Sequence, residues 1–258
     1  GRPVFAAFHG AASLGTAVAA ITGSLIALSV GPVGTLPLAA VAVAMALWRV
    51  TVCIADRPPA AAPVGVAVGP HRYRYGRLVK LGIVAGLAMA AETASVLWSA
   101  KLLDEQAPSI AALAGAGAAF FGICHAAVRF AGDRLRARFG DLPLIVGSLA
   151  VAAAGYAGVG LSTSFAASVV AFALTGIGSA CVIPVIFSLA ASEFPESRAA
   201  GIGVVGLVAG PSRIVSPWIF GALAESLSTA FAFGIISIAV VAGLLVALTT
   251  ADHRRATA

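Results

Sequence analysis

The chain has 258 residues, 60% of them hydrophobic and 10% charged, with a net charge of +6. Soluble domains carry roughly 25% charged residues, so the composition excludes an ordinary water-soluble globular protein. The positive balance comes without a basic stripe interleaved with aromatics, so no nucleic-acid partner is expected.

Charge is nearly absent from eight stretches, roughly 4–30, 35–54, 79–100, 109–131, 142–161, 165–191, 199–224 and 229–250. Each holds about 20 or more largely apolar residues, enough for a helix to cross about 30 Å of hydrocarbon. An amphipathic core helix would show a polar face, and these mostly do not. The predicted fold class is an all-α integral membrane protein with eight transmembrane helices, its first partner the lipid bilayer.

Span one carries Ala11, Gly15, Ala19 and Gly23 at every fourth position, and span four carries Ala114, Ala118, Gly122 and Ala126. Such stripes let helix backbones approach closely in lipid. The longest connection, 55–78, follows span two. Its Pro-rich start cannot hold a regular helix. Its end, His71 to Arg77, mixes basic and aromatic residues and suits lipid headgroups. The other connections are short: Gly31–Gly34, Lys101–Pro108, Gly132–Asp141, Ser162–Ser164, Ser192–Arg198 and Glu225–Ser228. They make neighbouring helices antiparallel. Span six contains Gly176, Gly178 and Pro184, and span seven contains Gly210, Pro211 and Pro217. Proline removes a backbone hydrogen bond, so helix kinks are predicted at Pro184, Gly210, Pro211 and Pro217. Cys53, Cys124 and Cys181 fall in different apolar stretches and read as small hydrophobes, with no metal site expected. No charged n-region with a cleavage site precedes span one, so no signal peptide is expected.

With the N-terminus on side one and alternating spans, side one receives fourteen of the sixteen basic residues. Side two receives Lys101, and Arg213 lies inside span seven. The positive-inside rule makes side one cytoplasmic, with both termini there and the protein in the inner, cytoplasmic membrane.

The charges inside the spans are the candidate site. Glu92 lies near the middle of span three, where a carboxylate is costly and faces a cavity or a partner. Helical spacing puts Ser95 and Ser99 on its face. These three read as a substrate or proton-coupling site, or as a structural ion pair. Arg213 keeps its proton and needs an anion, carbonyls or water at mid-depth. It reads as a substrate ligand or as a partner for Glu92. His125, with Phe121 and Arg129 on one face of span four, is a candidate for proton traffic or a packing residue. His9, near the side-one end of span one, is a weaker candidate of the same kind.

The segment Glu92 to Gly140 reads ETASVLWSAKLL, an Ala/Gly-rich span, and then Arg129-Phe-Ala-Gly-Asp-Arg-Leu-Arg-Ala-Arg-Phe-Gly140. It resembles the major facilitator superfamily, in particular its bacterial branch of MosC-like permeases. Gly132, Asp133, Arg134, Arg138 and Gly140 resemble that family's cytoplasmic gate motif, G-x-x-x-D-R-x-G-R-R. Arg129 and Arg136 stand where the motif has glycine. Gly176, Gly178 and Pro184, then Gly210-Pro211 with Phe220 to Glu225, and the opening Phe8 to Gly15, fit the same branch.

The resemblance implies twelve spans in two six-span halves. Residues 1–54 are then the last two helices of the N-terminal half, 55–78 the central linker, and 79–258 the complete C-terminal half. Four N-terminal helices are expected to be missing, and they or a second copy are expected to be needed for function. The motif implies that Asp133 latches the cytoplasmic face against the start of span one, and a helix N-terminus favours an acid. The resemblance also puts Glu92 and Arg213 beside a central cavity.

The expected function is secondary transport of a small polar solute by alternating access, with protons as the candidate coupling ion. A cyclitol- or sugar-like solute is what the resemblance implies. The alternatives are efflux of amphiphilic compounds, or a non-transporting truncated or helper protein. No H-E-x-x-H, G-x-S-x-G or P-loop is present, so no enzyme activity and no cofactor are expected.

Overall fold

The computed structural model describes residues 4–55, 72–194 and 197–250. The regular elements among them are all helical. They are α1 (Val4–Ala55), α2 (Arg72–Gln106), α3 (Ala116–Phe139), α4 (Asp141–Leu161), α5 (Phe165–Ser179), α6 (Val182–Glu193), α7 (Arg198–Ala209), α8 (Ser212–Ser226) and α9 (Thr229–Thr249). A short 3-10 turn, Pro108–Leu113, joins α2 to α3. Most of the 55–78 connection, residues 56–71, lies outside the described residues, as do Arg2, Arg254 and Arg255.

Among the described residues, seven helical runs are long and apolar enough to cross a membrane: Val33–Val52, Tyr75–Gln106, Pro108–Phe139, Asp141–Leu161, Phe165–Glu193, Arg198–Ser226 and Thr229–Thr249. The first predicted stretch, 4–30, is represented by the shorter apolar helix Ala17–Ala27. The chain is thus an all-α, multi-pass membrane protein.

Several connections differ from expectation: residues 72–78 of the expected linker and Lys101–Gln106 of the expected loop are helical parts of α2. The Gly31–Gly34 loop is instead a one-residue break, with Gly31 at φ 75° and ψ 165° inside an otherwise continuous α1. Only glycine reaches that φ without strain. The Gly132–Asp141 connection is helical as far as Phe139, and α3 ends at Gly140, φ 78°. Leu135, Arg136, Ala137 and Arg138 are good helix formers, so the helix persists until glycine lets the backbone turn. Arg136 Nε then donates to Asp141 Oδ1 at 2.8 Å, across the turn into α4.

Span six is split into α5 and α6 at Ala180–Cys181, just before Pro184. Span seven is split into α7 and α8 at Gly210–Pro211. Pro217 lies inside α8, which runs on without interruption. It therefore marks no break, unlike the other three predicted kink positions.

Helix α4 packs on α5 and α9, α3 on α1 and α5, and α2 on α7, α8 and α9. Small residues set these distances. A Cβ on Gly155 would fall 2.7 Å from Thr175 N in α5, and one on Gly160 would fall 2.7 Å from Gly234 N in α9. On α3, Ala118, Gly122 and Ala126 are buried as their stripe predicts. In span one, Gly15 and Ala19 of the stripe are exposed and Gly23 is half-buried, whereas Ala17, off the stripe, is buried. The core is closed by fully buried Tyr156, Phe172, Phe220 and Phe233. Phe233 meets Phe172 and Phe220 edge-on, at 5.2 and 4.8 Å between centroids.

Candidate functional site

Glu92, His125 and Arg129 meet in the interior. Glu92 comes from mid-α2; His125 and Arg129 stand one turn apart on α3, which puts them on one face. All three are buried, Arg129 at 7% exposure. His125 Nε2 lies 3.1 Å from Glu92 Oε1, and an Arg129 Nη lies 3.5 Å from the same oxygen. The His125 ring stacks on Phe121, 5.0 Å between centroids, which fixes its orientation. An isolated buried charge is too costly to keep, so the carboxylate and guanidinium stabilise each other. The 3.1 Å contact holds one proton in either of two places. A ring N–H donates to the carboxylate, or a carboxylic O–H donates to the ring nitrogen.

The serines stand where the helical spacing puts them. Ser95 and Ser99 are both fully buried on the Glu92 face of α2. Ser95 Oγ and Tyr156 Oη are 2.9 Å apart. Ser99 packs against Gly117, and its hydroxyl has no hydrogen-bond partner. Arg213 is not brought to the cluster as an ion-pair partner. It is exposed at the start of α8, and His125 and Arg129 occupy the Glu92 oxygen. Arg213 acts on Glu92 only through the longer-range field.

Below Arg129, toward the end of the bundle that carries most basic residues, lies a cavity of about 240 Å³. Arg129, Asp133 and Arg136 of α3 line it, with Pro184, Phe187 and Ser188 of α6 and Ile202 of α7. Gly132 is buried, whereas Asp133, Arg134, Arg138 and Gly140 are exposed, all but Gly140 on the last turns of α3. Arg138 lies over the Phe139 ring, 5.4 Å from its centroid. The expected partner of Asp133, at the start of span one, falls where side chains lie outside the described residues. The same holds for the His9 side chain.

Sequence reasoning places Arg129 on the His125 face of span four and as a departure from the gate motif, but not as a partner of Glu92; Tyr156 goes unnamed. Tyr156 is the lone polar aromatic in an Ala/Gly-rich span, which was signal enough.

A bundle of membrane-crossing helices with a buried acid, imidazole and guanidinium in its interior defines a polytopic membrane protein. The family model "Major Facilitator Superfamily" matches residues 81–258, and the chain belongs to that superfamily. It is 32% identical over 166 residues to "Membrane protein MosC" of Rhizobium meliloti, covering 62% of this chain and 41% of that protein. It is 28% identical to an uncharacterized MFS-type transporter of Yersinia pestis, over 99% of this chain and 64% of that one. An uncharacterized transporter of Sinorhizobium fredii is 26% identical over 92% of this chain and 63% of its own length. The chain thus spans less than two thirds of the curated relatives it matches.

Proposed function

We propose that this chain forms two spans of one half and all six spans of the other half of a secondary transporter. It moves a small polar solute across the cytoplasmic membrane by alternating access, with side one cytoplasmic. One observation carries the reading: Glu92, His125 and Arg129 form a buried cluster, and Arg129 also lines a cavity that reaches Asp133 and Arg136 toward the basic end of the bundle. Intramembrane ionisable groups of this kind mark solute or proton pathways. The Glu92–His125 contact supplies a proton acceptor, so the solute moves with protons. The solute belongs to the cyclitol or sugar class, whose hydroxyls suit carboxylate, guanidinium and serine partners. Val185, Phe187 and Ile202 give the cavity an apolar wall, which favours efflux of an amphiphilic compound as the second reading.

Family relatives longer than this chain supply the remaining spans, so residues 1–258 alone are expected not to transport. Proteoliposomes holding residues 1–258 are expected to show no accumulation of labelled cyclitols or hexoses. The same chain joined to four further N-terminal spans is expected to show uptake driven by a pH gradient, lost in Glu92→Gln. Uptake by residues 1–258 alone that Glu92→Gln abolishes would overturn the need for further helices. Uptake indifferent to the gradient would remove proton coupling.

A further inference from the structure

We infer that Arg129 is a positioning residue that ties Glu92 to the break between α5 and α6. In an unbroken helix the amide of residue 184 would donate to the carbonyl of Ala180, four residues back. Pro184 has no N–H, so that carbonyl loses its helical donor. The next bond is intact, with Val185 N donating to Cys181 O at 3.1 Å. Ala180 is fully buried, where an unsatisfied carbonyl is costly. Arg129 Nε donates to it at 3.0 Å. The same guanidinium reaches Glu92 Oε1 through a terminal nitrogen at 3.5 Å. One rigid, planar group therefore joins a carboxylate on α2 to the orphaned carbonyl at the break. A lysine ammonium lacks the fork that spans two such acceptors.

The two sides of the break are held differently. On α5, a Cβ at Gly176 would fall 2.3 Å from Phe121 O, and one at Gly178 would fall 2.2 Å from Ala152 N. Helix α5 is therefore seated directly on the backbones of α3 and α4. Helix α6 borders the cavity through Pro184, Phe187 and Ser188 and is seated on α7, where a Cβ at Gly201 would fall 2.0 Å from Ala190 O. Bending at Ala180–Cys181 therefore moves α6 together with α7 and reshapes the cavity wall, while α5 stays on α3 and α4. The charged and titratable groups facing Glu92 are His125 and Arg129 of α3, Arg213 of α8 at longer range, and Tyr156 of α4. While Glu92 is charged, it holds Arg129 on the carbonyl. When that charge is lost, or an anionic group in the cavity draws the guanidinium away, the carbonyl loses its donor and the break is released. The use of this clamp rests on the transporter reading; its geometry and its test do not.

Cys181 sits at the break, buried, and lines the cavity, so its thiol reports opening there. Alkylation by N-ethylmaleimide is followed by peptide mass spectrometry in the detergent-solubilised chain, with half-buried Cys124 as the reference thiol. Arg129→Met is expected to speed alkylation of Cys181 about tenfold, the loss of one charge-assisted hydrogen bond, with Cys124 unchanged. Adding Pro184→Ala restores an amide donor to the Ala180 carbonyl and is expected to return the rate to within about twofold of the parent. Should Arg129→Met not yield monodisperse protein, Glu92→Gln with Arg129→Met leaves no unpaired charge and is read the same way. An unchanged Cys181 rate, failure of Pro184→Ala to reverse it, or a parallel rise at Cys124 would each overturn the clamp. A clamp lost this way leaves the transporter standing, because uptake is measured separately. Absence of uptake leaves the thiol result unaffected.

Discussion

Tyr156 carries a hydroxyl into the buried interior of the bundle, and its partners decide what that hydroxyl costs. It is fully buried and lies between Ser95 and Thr175. Removing the Tyr156 hydroxyl strands the Ser95 hydroxyl among apolar atoms. Leaving a buried donor unsatisfied costs about 1–3 kcal/mol. Tyr156→Phe is therefore expected to lower stability by about that much, read as unfolding of the solubilised chain. Adding Ser95→Ala removes the stranded group, so the double variant is expected to be more stable than Tyr156→Phe alone. Losses that simply add would show that the two hydroxyls do not depend on each other. The residues of the Glu92 face were legible because depth and helical spacing are sequence properties. The pairing was not. Arg213 and Arg129 are both near or within spans, and only the packing of α3 against α2 decides which reaches Glu92. Sequence spacing cannot rank two arginines on different helices against one acid.

Helix pairs in this bundle are spaced by glycine, and the spacing is tight enough to test one residue at a time. Gly178 meets α4 so closely that a Cβ would sit 2.2 Å from Ala152 N and 2.6 Å from its Cα, both backbone atoms. No side chain there can yield, so α5 and α4 must separate. Gly178→Ala is expected to destabilise the chain by at least about 1–3 kcal/mol, the range for overpacking. Gly147, on an exposed part of α4, has nothing within 4 Å of its Cβ position. Gly147→Ala gains helix propensity and is expected to stabilise by about 0.5–1 kcal/mol. Thermal unfolding midpoints of the two variants moving together would show that the close approach is not a constraint. Elements were legible where hydrophobic length and proline set them: the apolar stretches, and the breaks before Pro184 and at Gly210–Pro211. They were not legible where a polar segment stays helical. The end of α3 looks like a loop because it is charged, yet charge does not unwind Leu, Arg and Ala. Only Gly140, by reaching φ 78°, ends it. Pro217 shows the converse, a proline that α8 accommodates without a break.

The two ends of the bundle are tied differently. At the side-two end, Thr229 Oγ1 donates to Glu105 at 3.0 Å, Ser168 Oγ donates to Gln106 at 2.8 Å, and Gln106 donates to Ser162 O at 2.9 Å. These bonds lash α2 to α9, α5 and the turn before α5. At the side-one end, Arg77 of α2 pairs with Glu193 of α6. The surface is uneven as well. Leu36 to Val52 is exposed along its whole length, and α7–α8 is the least covered of the spans after α1, with Trp218 at 84% exposure. Lipid satisfies apolar side chains such as these, but it does not satisfy Arg213, exposed near the middle of span seven. That arginine is expected to face water or polar protein atoms, which would put an aqueous path beside Arg213 on α8. In a background with all three cysteines replaced by serine, Arg213→Cys in liposomes is expected to react with a charged, membrane-impermeant methanethiosulfonate. Ile238→Cys, exposed at the middle of α9, faces lipid and is expected to react at least about tenfold more slowly, since a charged reagent is excluded from hydrocarbon. Equal protection of both thiols would mean that the α7–α8 face lies in lipid and that Arg213 snorkels to the headgroups, and the aqueous path would have to be placed elsewhere.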